Sequence, residues 1–349
     1  MLRRAKDNPY TLYFGKEPAQ MIARLTEYDE ICDSFLAENP SQLLYMITGV
    51  RGSGKTVLMT EIQKDISKQD DWIAIELNPA KDMLTSLAAK LYNHVKISEI
   101  IRKAKINLSF FGIGMSIDSA DPITDIETAI SRMLAEIKKY GKRVLITVDE
   151  ASSTEYMRIF ASSFQIFIRQ DMPVFLIMTG LFENIDALQN DKILTFLFRA
   201  PKIRLKPLNI GRMAANYERT LGVTSDEARE MAQMTMGYPF AYQVLGYYTF
   251  ENNGDYRSAI PAFRQQLDEY VYDKIWSELS KKDKEILFAL SNSEDGRVTD
   301  IRDTLGMKTN EFGTYRNRLV KKGVINGDEY GYITFSLPMF KEYVKDNYY

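Results

Sequence analysis

The chain has 349 residues, of which 45% are hydrophobic and 26% are charged, and its formal net charge is −2. This composition predicts a soluble globular protein of two or three packed units, and it excludes a general basic surface for nucleic acid. The single cysteine and single histidine exclude an internal disulfide and the usual Cys/His metal sites. The basic start of the chain is followed by no apolar leader, and no apolar stretch is long enough to cross a bilayer. We therefore expect a cytoplasmic protein without membrane contact.

The first part of the chain predicts an extended segment, a helix and a strand. Residues 8–15 contain an Asn-Pro pair and are interpreted as extended, and residues 21–36 have the apolar periodicity of a helix. Asn39 and Pro40 end that helix, because the residue before a proline disfavours helical backbone. The apolar residues 43–47 then predict the first strand.

A glycine-rich segment follows this strand and precedes a second helical pattern. It reads Gly49-Val50-Arg51-Gly52-Ser53-Gly54-Lys55-Thr56, with Val57 next. This is the G-x-x-x-x-G-K-[ST] pattern of the phosphate-binding P-loop in its strand–loop–helix context. The glycines let backbone N–H groups face an anion, and the helix N-terminus adds its positive dipole end. We expect Lys55 to contact the β- and γ-phosphates and Thr56 to hold Mg²⁺, and the alternative is a simple glycine turn.

Strands and helices then alternate as far as residue 205. Further strands are predicted at 72–77, 143–148, 173–180 and 202–205, with helices at 82–92, 125–140, 154–169 and 181–198. This rhythm predicts an α/β fold of the P-loop NTPase type, a parallel five-stranded sheet with helices on both faces.

One segment interrupts the alternation. Residues 106–117 alternate apolar with small or polar residues around two glycines, which predicts an inserted hairpin. The hairpin is either an edge decoration or, if Phe110 and Phe111 are exposed, a contact element for a partner or DNA.

Two of the strands end in polar residues that could act on a nucleotide. Asp149 and Glu150 follow a buried strand, at the sheet edge where ligands bind in open parallel sheets. Asp149 would hold Mg²⁺, and Glu150 would act as general base on the attacking water. The alternative is that this pair caps the following helix. Thr179 ends another strand and either senses the γ-phosphate or caps the next helix.

We consider three arginines for a role in this site. Arg199, before the fifth strand, either neutralises charge developing on the phosphates or complements a helix dipole. Arg51 lies inside the glycine-rich loop and is expected to face solvent, DNA or a partner rather than to act in catalysis. Arg24, on the first helix, is interpreted as a surface charge.

The remainder of the chain has a different character. Four helices are predicted at 209–221, 225–234, 239–250 and 256–272, the third of them starting at Gly237-Tyr238-Pro239, where a first-turn proline is tolerated. Helices at 281–290, 298–305 and 309–322, ended by Gly323, then precede two strands around a turn within residues 324–335. This order predicts a winged helix-turn-helix. The predicted domains are therefore a core at 1–207, an all-α lid at 208–272 and a winged-helix domain at 273–349.

Together these motifs resemble the AAA+/STAND class of P-loop ATPases, and most closely the archaeal-type ATPases and the origin-recognition initiator ATPases. The resemblance implies an ATPase that binds ATP or ADP with Mg²⁺. It also implies that residues 8–15, which include Pro9 and Tyr10, and residues 23–27 pack over adenine. It further implies that Pro239 contacts the base and that Phe198-Arg199-Ala200 is the arginine-bearing motif. The lid has Gly-Tyr-Pro where many members have a sensor arginine, and no trans-acting arginine finger stands out. We therefore expect slow hydrolysis used as a conformational switch.

The third helix of the predicted winged helix carries side chains suited to DNA. These are Tyr315, Arg316, Arg318, Lys321 and Lys322. They could contact phosphates or base edges in a major groove, which predicts double-stranded DNA as a partner. The alternative is a regulatory or signalling scaffold whose winged helix binds protein. A nucleotide-dependent oligomer and the biological process are left open.

Overall fold

The computed structural model describes residues 7–13, 18–114 and 123–348. These residues form two compact units. The sheet unit consists of Leu25–Thr48 and Lys55–Arg204. The helical unit consists of the described residues up to Arg24, Gly49–Gly54 and the described residues from Leu205 onward. The three-part division predicted above remains a prediction.

The sheet unit is built on five parallel strands. They are β1 (Leu44–Thr48), β2 (Trp72–Leu77), β3 (Arg143–Val148), β4 (Val174–Gly180) and β5 (Lys202–Arg204). Their order across the sheet is β2-β3-β4-β1-β5, and every neighbouring pair is parallel. All residues of β1 and β4 are buried, as expected where helices cover both faces. The predicted α/β fold class is confirmed.

Seven helices of the described sheet unit surround these strands. They are α1 (Leu25–Leu36), α2 (Lys55–Ser67), α3 (Met83–Asn93), α4 (Ser98–Lys103), α5 (Ile126–Lys139), α6 (Glu155–Arg169) and α7 (Phe182–Gln189). Asp82, Asp125 and Thr154 cap α3, α5 and α6, because their side chains accept first-turn N–H groups. Helix α7 is shorter than predicted, since the Asp191 carboxylate accepts the Ile193 N–H at 2.9 Å and forms a local turn.

The hairpin predicted at 106–117 is wrong for its described part. Residues 106–114 contain no strand, and Ser109–Phe111 form a 3₁₀ turn. The Asn107 side chain causes this, because its oxygen accepts from the Ser109 N–H at 3.1 Å and from the Ser109 hydroxyl at 2.7 Å. Phe110 is 62% exposed. Residues 115–117 lie outside the described residues.

The helical unit contains no strand between residues 208 and 272, as predicted. Its helices in this range are α8 (Ile210–Leu221), α9 (Ser225–Met234), α10 (Pro239–Glu251) and α11 (Tyr256–Leu267), followed by a π-helical turn (Asp268–Tyr272) and α12 (Asp273–Ser277). The helix predicted at 256–272 therefore changes its hydrogen-bond pattern at Asp268. The apolar periodicity does not report such a change, because both helix types continue along the same axis.

The rest of the helical unit is the C-terminal segment, residues 281–348. It contains α13 (Lys281–Asn292), α14 (Val298–Thr304), α15 (Thr309–Lys322), β6 (Ile325–Asn326), β7 (Thr334–Phe335) and α16 (Phe340–Asn347). β6 and β7 pair antiparallel, and a bridge between Arg297 and Tyr332 extends the pair. Gly323, at φ +77°, ends α15 where the sequence predicts. No helix within the described ranges is long and apolar enough to cross a membrane.

Asp283 ties α15 to the start of α13, and we expect its replacement to destabilise the C-terminal segment. Its buried carboxylate accepts from the Ser280 N–H at 3.0 Å and pairs with the Arg318 guanidinium at 2.7 Å. Asp283→Ala removes a helix cap and the buried half of a partly exposed ion pair, so we predict a loss of about 1–3 kcal/mol in unfolding free energy. Denaturant unfolding measures it, and Glu285→Ala on the same helix is the control. Equal stability of the two variants contradicts the role given to Asp283.

Candidate phosphate-binding and hydrolysis site

The phosphate loop, Gly49–Thr56, has a backbone that only glycine adopts readily at two positions. Gly52 has φ +71° and Gly54 has φ +87°. The Ser53 N–H donates to the Val50 carbonyl at 3.2 Å, which curls the loop. Helix α2 begins directly afterwards at Lys55 and has no acidic residue in its first turn. The first-turn N–H groups of a helix have no acceptor within the helix, and together with the positive end of the dipole they favour an anion at this position.

The space around the loop fits a phosphate group. A Cβ on Gly49 would overlap the Ser53 hydroxyl, and a Cβ on Gly52 would lie 2.9 Å from the Phe240 Cβ. The Ser53 Oγ is buried and has no hydrogen-bond partner among the described residues. A buried hydroxyl without a partner is costly, and a phosphate oxygen would satisfy it.

A carboxylate between two hydroxyls forms the second part of the site, at the edge of the sheet. The Thr56 hydroxyl donates to Asp149 Oδ2 at 2.8 Å, and the Thr179 hydroxyl donates to Asp149 Oδ1. They meet because β3, β4 and β1 are neighbours and parallel strands end at the same edge. The described residues contain no group of three or more His, Cys, Asp or Glu side chains that could hold a metal alone. Thr56 and Asp149 would hold Mg²⁺ together with phosphate oxygens, and the ion would neutralise phosphate charge.

Glu150 has a strained backbone next to this carboxylate. Its φ of +53° is uncommon for a residue with a side chain, and such strain is concentrated at functional sites. Its N–H lies 3.3 Å from the Thr179 hydroxyl oxygen and 3.1 Å from Asp149 Oδ1, which holds the turn. Its side chain is exposed, so a water molecule can reach the carboxylate.

The helix-capping alternatives for these residues are wrong. Thr154, rather than Asp149 or Glu150, caps α6 with its side chain. Leu181 precedes α7 and no side chain caps that helix, so Thr179 has no capping role. Thr179 is fully buried, and its hydroxyl is directed to Asp149.

The residues expected to contact the nucleotide base are Pro9, Tyr10 and Pro239, and their surroundings differ. Pro239 lies beside the loop, since a Cβ on Gly54 would be 3.8 Å from the Pro239 Cγ. The Tyr10 ring is 2% exposed and packs edge-on against Tyr242, and burial raises its pKa to about 12. The Tyr10 ring therefore anchors the N-terminal segment and is not available to a base, while Pro9 is half-buried and its contact with a base remains a prediction. Residues 14–15 of that segment lie outside the described residues.

The interpretation of Arg24 as a surface charge is wrong. Its guanidinium donates to the Lys206 carbonyl at 2.7 Å and to the Ser53 carbonyl, in the phosphate loop, at 3.0 Å. The sequence did not reveal this role, because both partners are backbone atoms distant along the chain.

Arg51 also differs from its expectation. It pairs with Glu278 at 2.9 Å within the helical unit, while its side chain stays partly exposed; a contact with DNA or a partner remains a prediction. Val50 packs beside it, 3.5 Å from where a Cβ on Gly323 would lie. Two side chains of the phosphate loop therefore contact the part of the helical unit that follows α11, including the end of α15.

Arg199 is the last residue of a 3₁₀ turn (Thr195–Arg199), and its side chain is exposed. Its contact with phosphate remains a prediction.

The arginines expected to contact DNA are engaged inside the C-terminal segment. Arg318 pairs with Asp283 and stacks over the Tyr315 ring at 4.7 Å, and Arg316 donates to the Gly327 carbonyl at 2.9 Å. Lys321 is exposed and Lys322 is half-buried. The other exposed residues of α15 include Asn310, Thr314 and Asn317. Their i, i+4, i+7 spacing places them on one face of the helix. The sequence indicated this exposed face, but the prediction followed the charged residues instead.

The fold is similar to the folds of two solved archaeal proteins. A Walker-type ATPase of Pyrococcus abyssi has a TM-score of 0.69 at 17% identity, covering 93% of this chain and 96% of its own. The ORC2 protein of Aeropyrum pernix, solved in ADPNP–ADP complexes, has a TM-score of 0.58 at 13% identity, covering 96% of both chains. The resemblance to archaeal initiator-type ATPases is thus confirmed at the level of the fold.

Two other comparisons do not indicate a function. A family model described as a domain of unknown function (DUF8462) matches residues 269–344. No curated protein matches the chain.

Gly52→Ala tests the fit of the loop. The added Cβ would overlap the Tyr238 hydroxyl and displace the loop, so we predict at least about a tenfold loss of MgATP affinity, comparable to one charged hydrogen bond. Gly112→Ala is the matched control, since Gly112 has φ +70° and no atom within 4 Å of its added Cβ. Titration calorimetry measures both. Equal losses would assign the effect to backbone strain alone.

Proposed function

We propose that the protein is an ATPase that binds ATP with Mg²⁺ and hydrolyses it slowly, using the bound nucleotide as a conformational switch. The hydrogen-bonded set of Thr56, Asp149 and Thr179 beside Glu150 carries this proposal. In this proposal Thr56 and Asp149 are the metal-binding pair and Glu150 is the base, beside the N-terminus of α2. The nucleotide complexes of the Aeropyrum pernix ORC2 protein, which has the same fold, support the choice of ligand.

Each residue has one role in the proposed reaction. The loop N–H groups and Lys55 hold the phosphates, and Thr56 and Asp149 hold the metal. Glu150 accepts a proton from the water that attacks the γ-phosphorus, while the Thr179 hydroxyl fixes the orientation of Asp149. Arg199 is the candidate cation for charge developing on the leaving phosphate. The low rate follows from the absence of a recognisable sensor arginine in the Gly237–Pro239 segment.

Glu150→Gln separates binding from hydrolysis. The amide keeps the size of the side chain but cannot accept the proton, so we predict unchanged MgATP affinity and at least about a hundredfold slower turnover. Lys55→Ala instead removes a charged phosphate contact and should weaken binding by about ten- to a hundredfold. Calorimetry and phosphate release measure these effects. Normal hydrolysis by Glu150→Gln would show that another group is the base.

We further propose that the C-terminal segment is a winged helix and that α15 binds duplex DNA when the nucleotide permits. The positions of Val50 and Arg51 support the coupling, because Val50 lies near Gly323 at the end of α15 and Arg51 pairs with Glu278, directly after α12. Arg316 and Arg318 are better assigned to the stability of the segment. Lys321 and Lys322 remain the proposed phosphate contacts, and the exposed amides of Asn310 and Asn317 suit adenine edges.

The salt dependence of DNA binding tests this assignment. Each phosphate contact contributes about one unit to the slope of log affinity against log salt concentration. We predict that Lys321→Ala/Lys322→Ala reduces the slope by about 2, whereas Lys345→Ala, on α16, leaves it unchanged. Fluorescence anisotropy with a labelled duplex measures both. No binding by the wild-type protein at low salt removes the DNA proposal.

One observation favours a second candidate, in which the segment binds protein. The turn between β6 and β7 carries Asp328, Glu329 and Tyr330, and the Tyr330 side chain is fully exposed. Two carboxylates here would repel DNA phosphates, and an exposed tyrosine is typical of protein interfaces. In the DNA titration, tighter binding by Asp328→Asn/Glu329→Gln would support repulsion from DNA. Unchanged binding would remove this reason for preferring a protein partner.

A further inference from the structure

Three consecutive carbonyl groups of the phosphate loop accept hydrogen bonds from outside the loop. The Tyr238 hydroxyl donates to the Arg51 carbonyl, and the Phe240 N–H donates to the Gly52 carbonyl at 3.2 Å. The Arg24 guanidinium donates to the Ser53 carbonyl at 3.0 Å. All of these residues belong to the helical unit. We call these three donors the carbonyl brace.

The brace determines where the loop N–H groups point. In a trans peptide the C=O of one residue and the N–H of the next lie in one plane and point in opposite directions. Fixing the Arg51 and Ser53 carbonyls on the side of the brace therefore directs the Gly52 and Gly54 N–H groups to the opposite side. Those N–H groups are members of the phosphate-binding motif.

The donors themselves are held in place. Tyr238 is 4% exposed, and its burial raises the pKa of its hydroxyl well above the ordinary value, so the group stays a donor. Arg24 makes a second bond, to the Lys206 carbonyl at 2.7 Å. The Phe240 N–H belongs to the first turn of α10, which has no side-chain cap, so the Gly52 carbonyl satisfies one of its unpaired donors.

The close packing around Gly52 leaves no room for a side chain at this position. A Cβ on Gly52 would overlap the Tyr238 hydroxyl and lie 2.9 Å from the Phe240 Cβ. Glycine at position 52, which the motif leaves open, is thus required here by Tyr238 as well as by its φ angle of +71°.

We propose that Tyr238 and Arg24 are positioning residues for phosphate binding, which hold the loop N–H groups in the orientation that receives the β- and γ-phosphates. This inference rests on the proposed nucleotide-binding function. The brace acts on the phosphates alone, so it predicts loss of affinity for ATP and ADP but not for adenosine.

Tyr238→Phe tests the brace, because it keeps the ring against Gly52 and removes only the donor. We expect MgATP and MgADP affinity to fall by about tenfold, the range of one hydrogen bond, with adenosine affinity unchanged. Tyr247→Phe, also on α10, is the matched control and should bind like the wild type. Arg24→Gln, which loses the charged donor to Ser53, should reproduce the selective loss. Unchanged ATP affinity in Tyr238→Phe, or an equal loss for adenosine, overturns the proposal.

A second readout needs no nucleotide. In the nucleotide-free protein, amide hydrogen exchange of residues 50–54 should be faster in Tyr238→Phe than in the wild type and in Tyr247→Phe. If the wild type fails to bind MgATP, the proposed function is lost, and the exchange result still decides the brace. Equal exchange in all three proteins overturns the brace itself.

Discussion

The structure of the site depends on a property of the peptide group, which carries an acceptor on one side and a donor on the other. A loop that offers its N–H groups to an anion must place its carbonyl groups elsewhere, and buried carbonyls need partners. Here the partners come from Arg24, Tyr238 and the first turn of α10. Residues of the helical unit therefore hold the carbonyl groups of the phosphate loop. The N-terminus of α2 follows the loop along the chain.

The chemistry at the sheet edge depends on strand order. The order β3-β4-β1 brings residues in or after the carboxyl ends of three separate strands to one place, although Thr56 and Thr179 are far apart in sequence. Two hydroxyls then fix the Asp149 carboxylate, and the positive φ of Glu150 turns its side chain outward into solvent. The two neighbouring carboxylates therefore have different environments, one held by two hydroxyls and the other exposed to solvent.

The sequence predicted what local patterns encode and missed what distant contacts decide. The motif, the alternation and the strand ends predicted the loop, the parallel sheet and the acids at its edge, because these follow from backbone periodicity and glycine conformations. The Tyr238 contact joins residues 187 positions apart, and no spacing encodes it. The hairpin prediction failed because the Asn107 side chain closed a turn instead. Arg318 was assigned to DNA because its partner Asp283 lies on a different helix.

Triphosphate binding by the loop at Gly49–Thr56 can be measured by amide hydrogen exchange of the wild-type protein with and without saturating MgATP. We expect slower exchange in residues 49–56 and in the turn around Asp149 when MgATP is present. Identical exchange in both segments at saturating MgATP would contradict it.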